Sequence, residues 1–382
     1  MSTIGLEDRH SEHRQRVRQF VESEIEPVVE EYENEGQFPL ELIDELGEAG
    51  LYGITIPKEY GGEGLDYRSF VITVEELSRV WKIPAGVVSL SCGLVGHTLV
   101  EFATEWQREE WLTDIFTENQ VTAVSLTEPQ AGSDANALET TARRDGDEYI
   151  LNGHKVWTSH GAVADFVFVV ARTEQTGSHE DVSIIAIPNP QEKEGFNIVR
   201  DIPCMEGDAV VESEIEFDDL RVPVENLVGE EGNGFKYIMA ALDVGRIGVA
   251  AQGVGITQGS LDASAEFADE REQFGQPIRD FQGVSFKLAD MKMDLEAARL
   301  LTYQAAERRD QDKRVSQEAA IAKTFASDAA MDAATEAVQI HGSRGYSTDY
   351  PVERYMREAK GAQIYEGTNE VNRTVIANHL YK

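Results

Sequence analysis

The period of the hydrophobic residues changes twice along this chain of 382 residues, and this change constrains the fold more than any other feature. Up to about residue 120, apolar side chains recur every three or four residues, which is typical of amphipathic helices. From Val121 short apolar runs follow one another with no helical pattern between them, as in an all-β unit. From Gly232 the helical period returns and is kept. The pattern predicts a helical bundle, a β unit and a second helical bundle.

These transitions predict an α+β multi-domain protein. We expect an N-terminal helical domain over 1–120, a middle β-sandwich or barrel over 121–231, and a C-terminal four-helix bundle over 232–382. Within the β unit, the pair Asn152-Gly153 predicts a two-residue hairpin turn between two strands.

The charge of the chain excludes some classes of function. The sequence holds 34 Lys and Arg against 70 Asp and Glu, a net charge of −36, and the acidic residues occur in every segment. Nucleic acid is not expected as a partner, because binding phosphates needs clustered Lys and Arg. A surface this acidic is tolerable where salt screens it, since at molar salt the Debye length is only about 3 Å. The composition therefore predicts a halophilic, salt-adapted protein.

Other features bear on where the protein works. The two cysteines, Cys92 and Cys204, cannot form a disulfide framework, and no Cys/His cluster has metal-ligand spacing. The N-terminus shows no secretory apolar region, and no run of about 18 apolar residues is visible. We expect a cytoplasmic protein with no metal site and no membrane span.

Several stretches carry side chains suited to chemistry, although each has a simpler structural explanation when taken alone. They are the loop Leu126 to Asp134, the strand Lys155 to Ser159, the helical pair Asp243 and Arg246, the segment Arg271 to Gln282, the turn Gln339 to Tyr346 and the stretch Ile364 to Glu370. An indole beside a hydroxyl can cover a flat ring, and an arginine fork suits a pyrophosphate. A glutamate between an apolar pair and a glycine, as at Glu366, suits a general base when burial raises its pKa.

Together and in this order, these stretches resemble the acyl-CoA dehydrogenase family, FAD-dependent flavoproteins of three domains, and most closely its short- and medium-chain branch. The resemblance runs from about residue 10 to the end. It rests on the following motifs: Thr127-Glu128-Pro129 with Gly132-Ser133-Asp134, Lys155 to Thr158, Arg271 to Gly275, Gln339 to Gly345, and Tyr365-Glu366-Gly367-Thr368.

The resemblance implies a set of residues that bind FAD. In the family, the loop at Leu126 and Thr127 meets the pyrimidine edge of the flavin, and Trp157 and Thr158 flank its ring. The segments around Arg271 and Gly342 reach the FAD of a neighbouring subunit, which implies a homotetramer. The full implied set is Leu126, Thr127, Ser133, Trp157, Thr158, Arg271, Phe274, Gln282, Gln339, Gly342, Thr368 and Glu370.

The resemblance also implies a catalytic base and an activity. Glu366 matches the residue that removes the α-proton of an acyl-CoA, giving a trans-2-enoyl-CoA and electrons for an electron-transfer flavoprotein. Some members carry the base just before the arginine that matches Arg246, but this chain has Gly245 there. The implied substrate contacts are Ser133, Asp243, Arg246, Tyr365 and Gly367.

Three alternatives remain open at this point. The chain could be an acyl-CoA oxidase, a glutaryl-CoA-type dehydrogenase, or a flavin-binding scaffold protein without turnover. The sequence does not specify the acyl chain length.

Overall fold

The computed structural model describes residues 6–174 and 176–381, which form two compact units. The first unit combines the chain up to Val29, Asp66–Gly86 and the chain from Gly245 onward. The second unit contains Glu30–Leu65 and Val87–Val244. The N-terminal helices are thus shared between two units, and the three consecutive domains remain a prediction from the sequence.

The N-terminal part is helical, as its hydrophobic period predicts. Its helices are α1 (Asp8–Phe20), α2 (Val29–Glu35), α3 (Leu40–Glu48), α4 (Tyr67–Ser78), α5 (Lys82–Leu90), α6 (His97–Phe102), α7 (Glu105–Gln107) and α8 (Thr113–Thr117). Turns of π-helix extend α1, α5 and α7, at Val21–Ile25, Ser91–Gly96 and Arg108–Leu112. Asp66 caps the start of helix α4: its carboxylate accepts a hydrogen bond from the N–H of Ser69 and so satisfies an otherwise free donor.

One helical stretch, Lys82–Phe102, is long and apolar enough by length and composition to cross a membrane. Of its most apolar window, 83% is buried inside the protein itself. Burial of this kind is typical of a core helix and accounts for the composition of the stretch.

The middle part is all-β, as predicted. Its strands are β1 (Thr122–Ser125), β2 (Thr141–Asp145), β3 (Glu148–Ser159), β4 (Phe166–Arg172), β5 (Val182–Pro188), β6 (Phe196–Asp201) and β7 (Glu212–Pro223). They form one sheet in the order β1-β4-β2-β3-β7-β6, and β5 pairs with β4 off this path. The pairs β1–β4 and β2–β4 are parallel and the others are antiparallel. Inward-facing residues such as Leu151, Val169, Ile185 and Leu220 form the core of the sheet.

The hairpin predicted at Asn152-Gly153 is wrong. Both residues lie inside the continuous strand β3, and the register with β7 shifts at this point, which marks a bulge. The turn between β2 and β3 lies instead between Asp145 and Glu148. A Cβ atom at Gly153 would collide with the side chain of Thr140, so the glycine permits a close approach and makes no turn.

The C-terminal part is a set of long helices with a short hairpin. Its elements are α9 (Gly234–Glu270), β8 (Glu272–Gln273), β9 (Gln276–Pro277), α10 (Gln282–Asp310), α11 (Ser316–His341), α12 (Val352–Ala362) and α13 (Asn369–His379). Alanines fill the buried face of α11 and allow its neighbours to approach closely. Gly342, at a φ of +61°, follows the last residue of this helix and ends it.

A buried ionic network in the first unit joins α1 and α4 to α10. The carboxylate of Glu75, buried on α4, accepts hydrogen bonds from Arg14 Nη1 at 2.9 Å, Arg299 Nη2 at 2.8 Å and Tyr303 Oη at 2.7 Å. Burial alone would raise the pKa of Glu75, but Arg14 and Arg299 outweigh it and lower this pKa to about 2. Glu75 is therefore ionised at neutral pH and fixes three elements far apart in sequence.

We expect Glu75→Ala to lower the free energy of unfolding by about 3–5 kcal/mol, because it removes the buried carboxylate that two partly buried arginines share. The measurement is urea denaturation followed by circular dichroism. The matched control is Glu22→Ala, which removes a carboxylate that is 52% exposed and paired with Arg79, and should cost about 1 kcal/mol or less. Equal losses in the two variants would contradict the role assigned to the buried network.

Candidate active site

Glu366 lies in a strained turn of the first unit, between α12 and α13. Its φ is +54° and that of the following Gly367 is +90°, and the left-handed region is costly for a residue with a side chain. Side chains hold the carbonyl groups of this turn: Arg246 Nε donates to the Glu366 carbonyl oxygen at 3.3 Å, and Asn372 Nδ2 donates to that of Gly367 at 2.8 Å. Thr368 caps α13 by accepting the N–H of Val371. The turn is therefore held in place from both sides.

One oxygen of the Glu366 carboxylate, Oε2, is unusual because it is buried without a hydrogen-bond partner in the part of the chain that the structure describes. A Cβ atom at Gly245 on α9 would collide with this oxygen, so only glycine leaves room for the carboxylate there. The absence of a side chain at Gly245 and the presence of Glu366 are thus two parts of one site.

Burial raises the pKa of Glu366 to about 7, and the charges of Arg246 and Lys323 oppose this rise. A carboxyl group with a pKa near 7 can both accept and release a proton at neutral pH. This is the electrostatic condition for a general base.

Tyr365 and Gln252 form a second contact beside the turn. Tyr365 Oη donates to Oε1 of the buried Gln252 on α9 at 2.6 Å. The ammonium of Lys82 lies 5.0 Å from the centre of the Tyr365 ring, within range of a cation–π interaction. Tyr365 is therefore fixed from two directions, directly before Glu366.

In the second unit, a buried ion pair shapes the loop after β1. Lys155 Nζ donates to the Leu126 carbonyl oxygen and to Glu128 Oε1, both at 2.8 Å, and the Lys155 side chain is fully buried. Burial would raise the pKa of Glu128, but Lys155 lowers it to about 2. Burial also lowers the pKa of Lys155 to about 8, despite the attraction of Glu128. The pair is ionised at neutral pH and fixes the backbone of Leu126 and Thr127.

Trp157 and Thr158 lie on β3 next to this loop. The N–H of Val156 donates to the Thr127 carbonyl oxygen at 3.0 Å, and the hydroxyl groups of Ser125 and Thr158 are 2.9 Å apart. Trp157 has a φ of +58°, and 54% of its side chain is exposed, which is not how a core tryptophan is placed. An exposed indole on a strained backbone can act as a platform for a flat ring.

A separate cleft of the first unit contains Arg271 and Gly342. Its volume is about 260 Å³, and Phe267, Arg271 and Gln273 on one side face Ile340, His341 and Gly342 on the other. The hairpin β8–β9 that follows Arg271 carries Phe274 at its tip, at a φ of +54° and 96% exposed. The structure thus brings two of the predicted site residues into one cleft.

The remaining predicted residues lie elsewhere. Ser133 is exposed in the loop before β2, and Asp243 is half-buried on α9, in the second unit. Gln282 at the start of α10 and Gln339 near the end of α11 are exposed, as is Glu370 in the first turn of α13.

Lys323, Gln252 and Lys82 were not predicted from the sequence, and neither was the ion pair of Lys155 with Glu128. A signal for Lys323 was present, since this lysine falls on the buried face of α11 between alanines. For Gln252 and Lys82, the sequence offers no comparable signal.

Three family models match the chain. The N-terminal domain of acyl-CoA dehydrogenase matches residues 7–119, the middle domain matches 123–220, and the C-terminal domain matches 232–381. Together they cover nearly the whole chain in the order that the resemblance implied.

Relatives and solved structures agree with these models. The chain is 40% identical over 369 residues to the short-chain specific acyl-CoA dehydrogenase of Clostridium acetobutylicum, covering 97% of each chain. It superimposes on the butyryl-CoA dehydrogenase of Megasphaera elsdenii with a TM-score of 0.95 and 40% identity, covering 99% of this chain and 100% of the other. A chain from a study of the electron transferring flavoprotein of Acidaminococcus fermentans gives a TM-score of 0.97 and 43% identity, at 99% coverage of both.

Proposed function

Because the chain belongs to the acyl-CoA dehydrogenase family, we propose that it is an FAD-dependent enzyme that converts an acyl-CoA to a trans-2-enoyl-CoA. Its electrons pass to an electron-transfer flavoprotein, which the relation to the Acidaminococcus fermentans chain supports. The observation that carries the proposal is the buried Oε2 atom of Glu366, which has no hydrogen-bond partner among the described residues, with the pKa of this carboxyl group raised to about 7.

Glu366 acts as the base in this proposal. It takes a proton from the α-carbon, which is acidic only when the thioester carbonyl is polarised. The main-chain N–H of Glu366 makes no hydrogen bond within the described part of the chain, so it is free to donate to that carbonyl oxygen. The strained turn holds this donor and the carboxylate in fixed relation, which lowers the cost of reaching the transition state.

The residues present fit FAD. The exposed indole of Trp157 suits the flavin ring, and we assign the neighbouring Thr158, which is buried beside Ser125, to the same ring. The loop at Leu126 and Thr127 offers its main chain to the pyrimidine edge. When bound, FAD would supply the acceptor for two electrons and the β-hydrogen. We assign further contacts to Ser133, Phe274, Thr368 and Glu370, and we assign Arg271, Gln282 and the turn Gln339 to Gly342 to the FAD of a neighbouring subunit.

For the substrate, we assign contacts to Ser133, Asp243, Arg246, Tyr365 and Gly367. By their names, the relatives above act on short-chain acyl-CoAs or on butyryl-CoA, and we propose a short acyl chain here.

A panel of acyl-CoAs of increasing length with a dye acceptor tests this preference. Oxygen consumption that matches turnover would favour an acyl-CoA oxidase, and activity on glutaryl-CoA alone would favour a glutaryl-CoA-type dehydrogenase. If no acyl-CoA bleached the flavin, the chain would be a flavin-binding scaffold protein without turnover.

We expect Glu366→Gln to retain FAD and to lower the rate of flavin reduction by about 10²–10⁴-fold or more, because it removes the base. Anaerobic stopped-flow absorbance at the flavin band measures this rate. In the parent protein, the rate should fall as the pH drops below about 7, since the base must be ionised to accept a proton. Glu353→Gln on α12, which removes only a carboxylate paired with Arg357, serves as the control. Near-normal reduction by Glu366→Gln would move the base elsewhere.

We also propose that the protein is a homotetramer and that α10 contributes an interface with a second copy. Phe286, Met293 and Leu300 lie seven residues apart on this helix, and their exposures are 61%, 62% and 45%. Residues at this spacing form one stripe along a helix, and a stripe of large apolar side chains calls for a partner surface.

We expect the double variant Phe286→Glu with Met293→Glu to have a lower molar mass in solution than the parent, because the charges oppose burial of the stripe. Size-exclusion chromatography with light scattering measures the mass. The control Met293→Leu preserves the apolar stripe and should assemble normally. An unchanged mass in the charged variant would place the subunit interface on another surface.

The net charge of −36 supports a third proposal, that the protein works in a salt-adapted cytoplasm. We expect its melting temperature to rise between about 0.1 M and about 3 M KCl, because salt screens repulsion among the surface carboxylates. Differential scanning fluorimetry measures the melting temperature. Full stability and activity in dilute buffer without added salt would argue against salt adaptation.

A further inference from the structure

Lys323 is a fully buried lysine at a place where the fold offers little reason for one. It lies in the middle of α11, with 0% of its surface exposed, on a face otherwise formed largely by alanines. Lysine is almost never fully buried unless it is paired, because burial removes the water that stabilises its charge. Its partners therefore indicate what it does.

The ammonium group of Lys323 contacts the turn that carries Glu366. Lys323 Nζ donates to the Gly367 carbonyl oxygen and to Asn369 Oδ1, both at 2.9 Å. Each of these oxygens has a second donor: Asn372 Nδ2 reaches the Gly367 carbonyl at 2.8 Å, and Ser327 Oγ reaches Asn369 Oδ1 at 3.3 Å. Hydrogen bonding alone would not require a lysine here. What Lys323 adds is a positive charge beside the turn.

Charged groups from several elements face this lysine. Arg246 on α9, Asp328 on α11, Glu366 in the turn and Glu370 on α13 all act on it electrostatically, and Glu366 is the strongest of these. Burial lowers the pKa of Lys323 to about 8. For Glu366 itself, Arg246 and Lys323 are the two cations that oppose the effect of burial.

We infer that Lys323 is a positioning residue for Glu366, whose buried charge favours the ionised carboxylate and whose ammonium group fixes the turn that carries it. This inference rests on the proposed role of Glu366 as the base. It assigns to the alanine-rich helix α11 a function in the reaction besides packing.

The charge of Lys323 affects the stability of the protein and the proposed activity in opposite directions. A lysine with a lowered pKa contributes stability that is present above its unfolded pKa of about 10.5 and is lost as the pH falls through about 8. Charged Lys323 therefore costs stability at neutral pH. A lysine with only a structural role would instead stabilise the protein under the conditions in which it works.

The first test is Lys323→Met in the FAD-loaded protein, which keeps the length of the side chain and removes its charge. We expect the apparent pKa of flavin reduction by a short acyl-CoA to rise by about one unit from about 7, so that the rate at pH 7 falls about fivefold and recovers near pH 9. The melting temperature at pH 7 should not fall. Lys323→Arg keeps the charge and should restore the parent pH profile.

Two further variants separate charge from geometry. Asn369→Ala removes one acceptor of the ammonium but keeps the charge, and should leave the apparent pKa unshifted. Lys292→Met removes a lysine of α10 that is 46% exposed and paired with Glu296, and should change neither the pKa nor the rate. An unshifted profile in Lys323→Met, or a loss of folding that Lys323→Arg does not rescue, would overturn the inference.

A readout without turnover distinguishes this inference from the proposed function. The raised pKa of Glu366 means that its stability contribution is present below about 4.5 and is lost as the pH rises through about 7. The melting temperatures of the parent and Glu366→Gln should therefore converge below about pH 4.5, diverge between about pH 4.5 and 7, and differ by a constant amount above pH 7. In the Lys323→Met background, we expect the divergence to continue to a higher pH before it levels off, even if no acyl-CoA reduces the flavin. Levelling off at the same pH in both backgrounds would overturn the inference.

Discussion

The cost of burying charge is the constraint on which this structure depends. An ion taken out of water is stable only where opposite charges or hydrogen bonds replace its hydration. Two arginines and a tyrosine replace the hydration of the Glu75 carboxylate, and these contacts connect helices that are distant in sequence. One glutamate replaces the hydration of the Lys155 ammonium, and this contact fixes a loop at the edge of the sheet.

Glu366 is the exception, and its chemistry follows from this. Its Oε2 atom has no hydrogen-bond partner among the described residues, although cations lie nearby. At this one residue, a carboxylate lacks part of the hydrogen bonding that would replace its hydration, and the backbone lies in the left-handed region. Both costs are local, and the turn is fixed through its carbonyl oxygens by Arg246, Asn372 and Lys323. Strain and desolvation at one position thus depend on well-satisfied groups around it.

The change in hydrophobic period was sufficient to predict the succession of helical, β and helical parts, because each period reports directly on which faces are buried. It did not predict the hairpin correctly. The pair Asn152-Gly153 has the composition of a turn, and only the approach of Thr140 shows that the glycine serves packing. Close contacts between residues far apart in sequence leave no periodic signal. For the same reason, the division of the N-terminal helices between two units was not visible.

The parts of the candidate site that are formed by contiguous residues could be predicted from the sequence. The stretch around Glu366 and the loop at Leu126 could be singled out from their residue types. The residues that contact the Glu366 turn from other helices could not be singled out in this way. Lys323 and Gln252 are 44 and 113 residues away in sequence from the residues that they contact. A lone lysine among alanines was the exception, and its burial could have been expected from the helical period.

The discontinuous composition of the first unit has a consequence for synthesis on the ribosome. Arg14 and its partner Tyr303 are 289 residues apart in the chain. At elongation rates of about 5–20 residues per second, roughly 15 to 60 s pass between the appearance of one and of the other. During this time, the apolar face of α1, including Val17, has no completed surface to cover it. Helix α1 thus emerges long before one of its final partners, and the nascent chain depends on protection from aggregation until α10 has emerged.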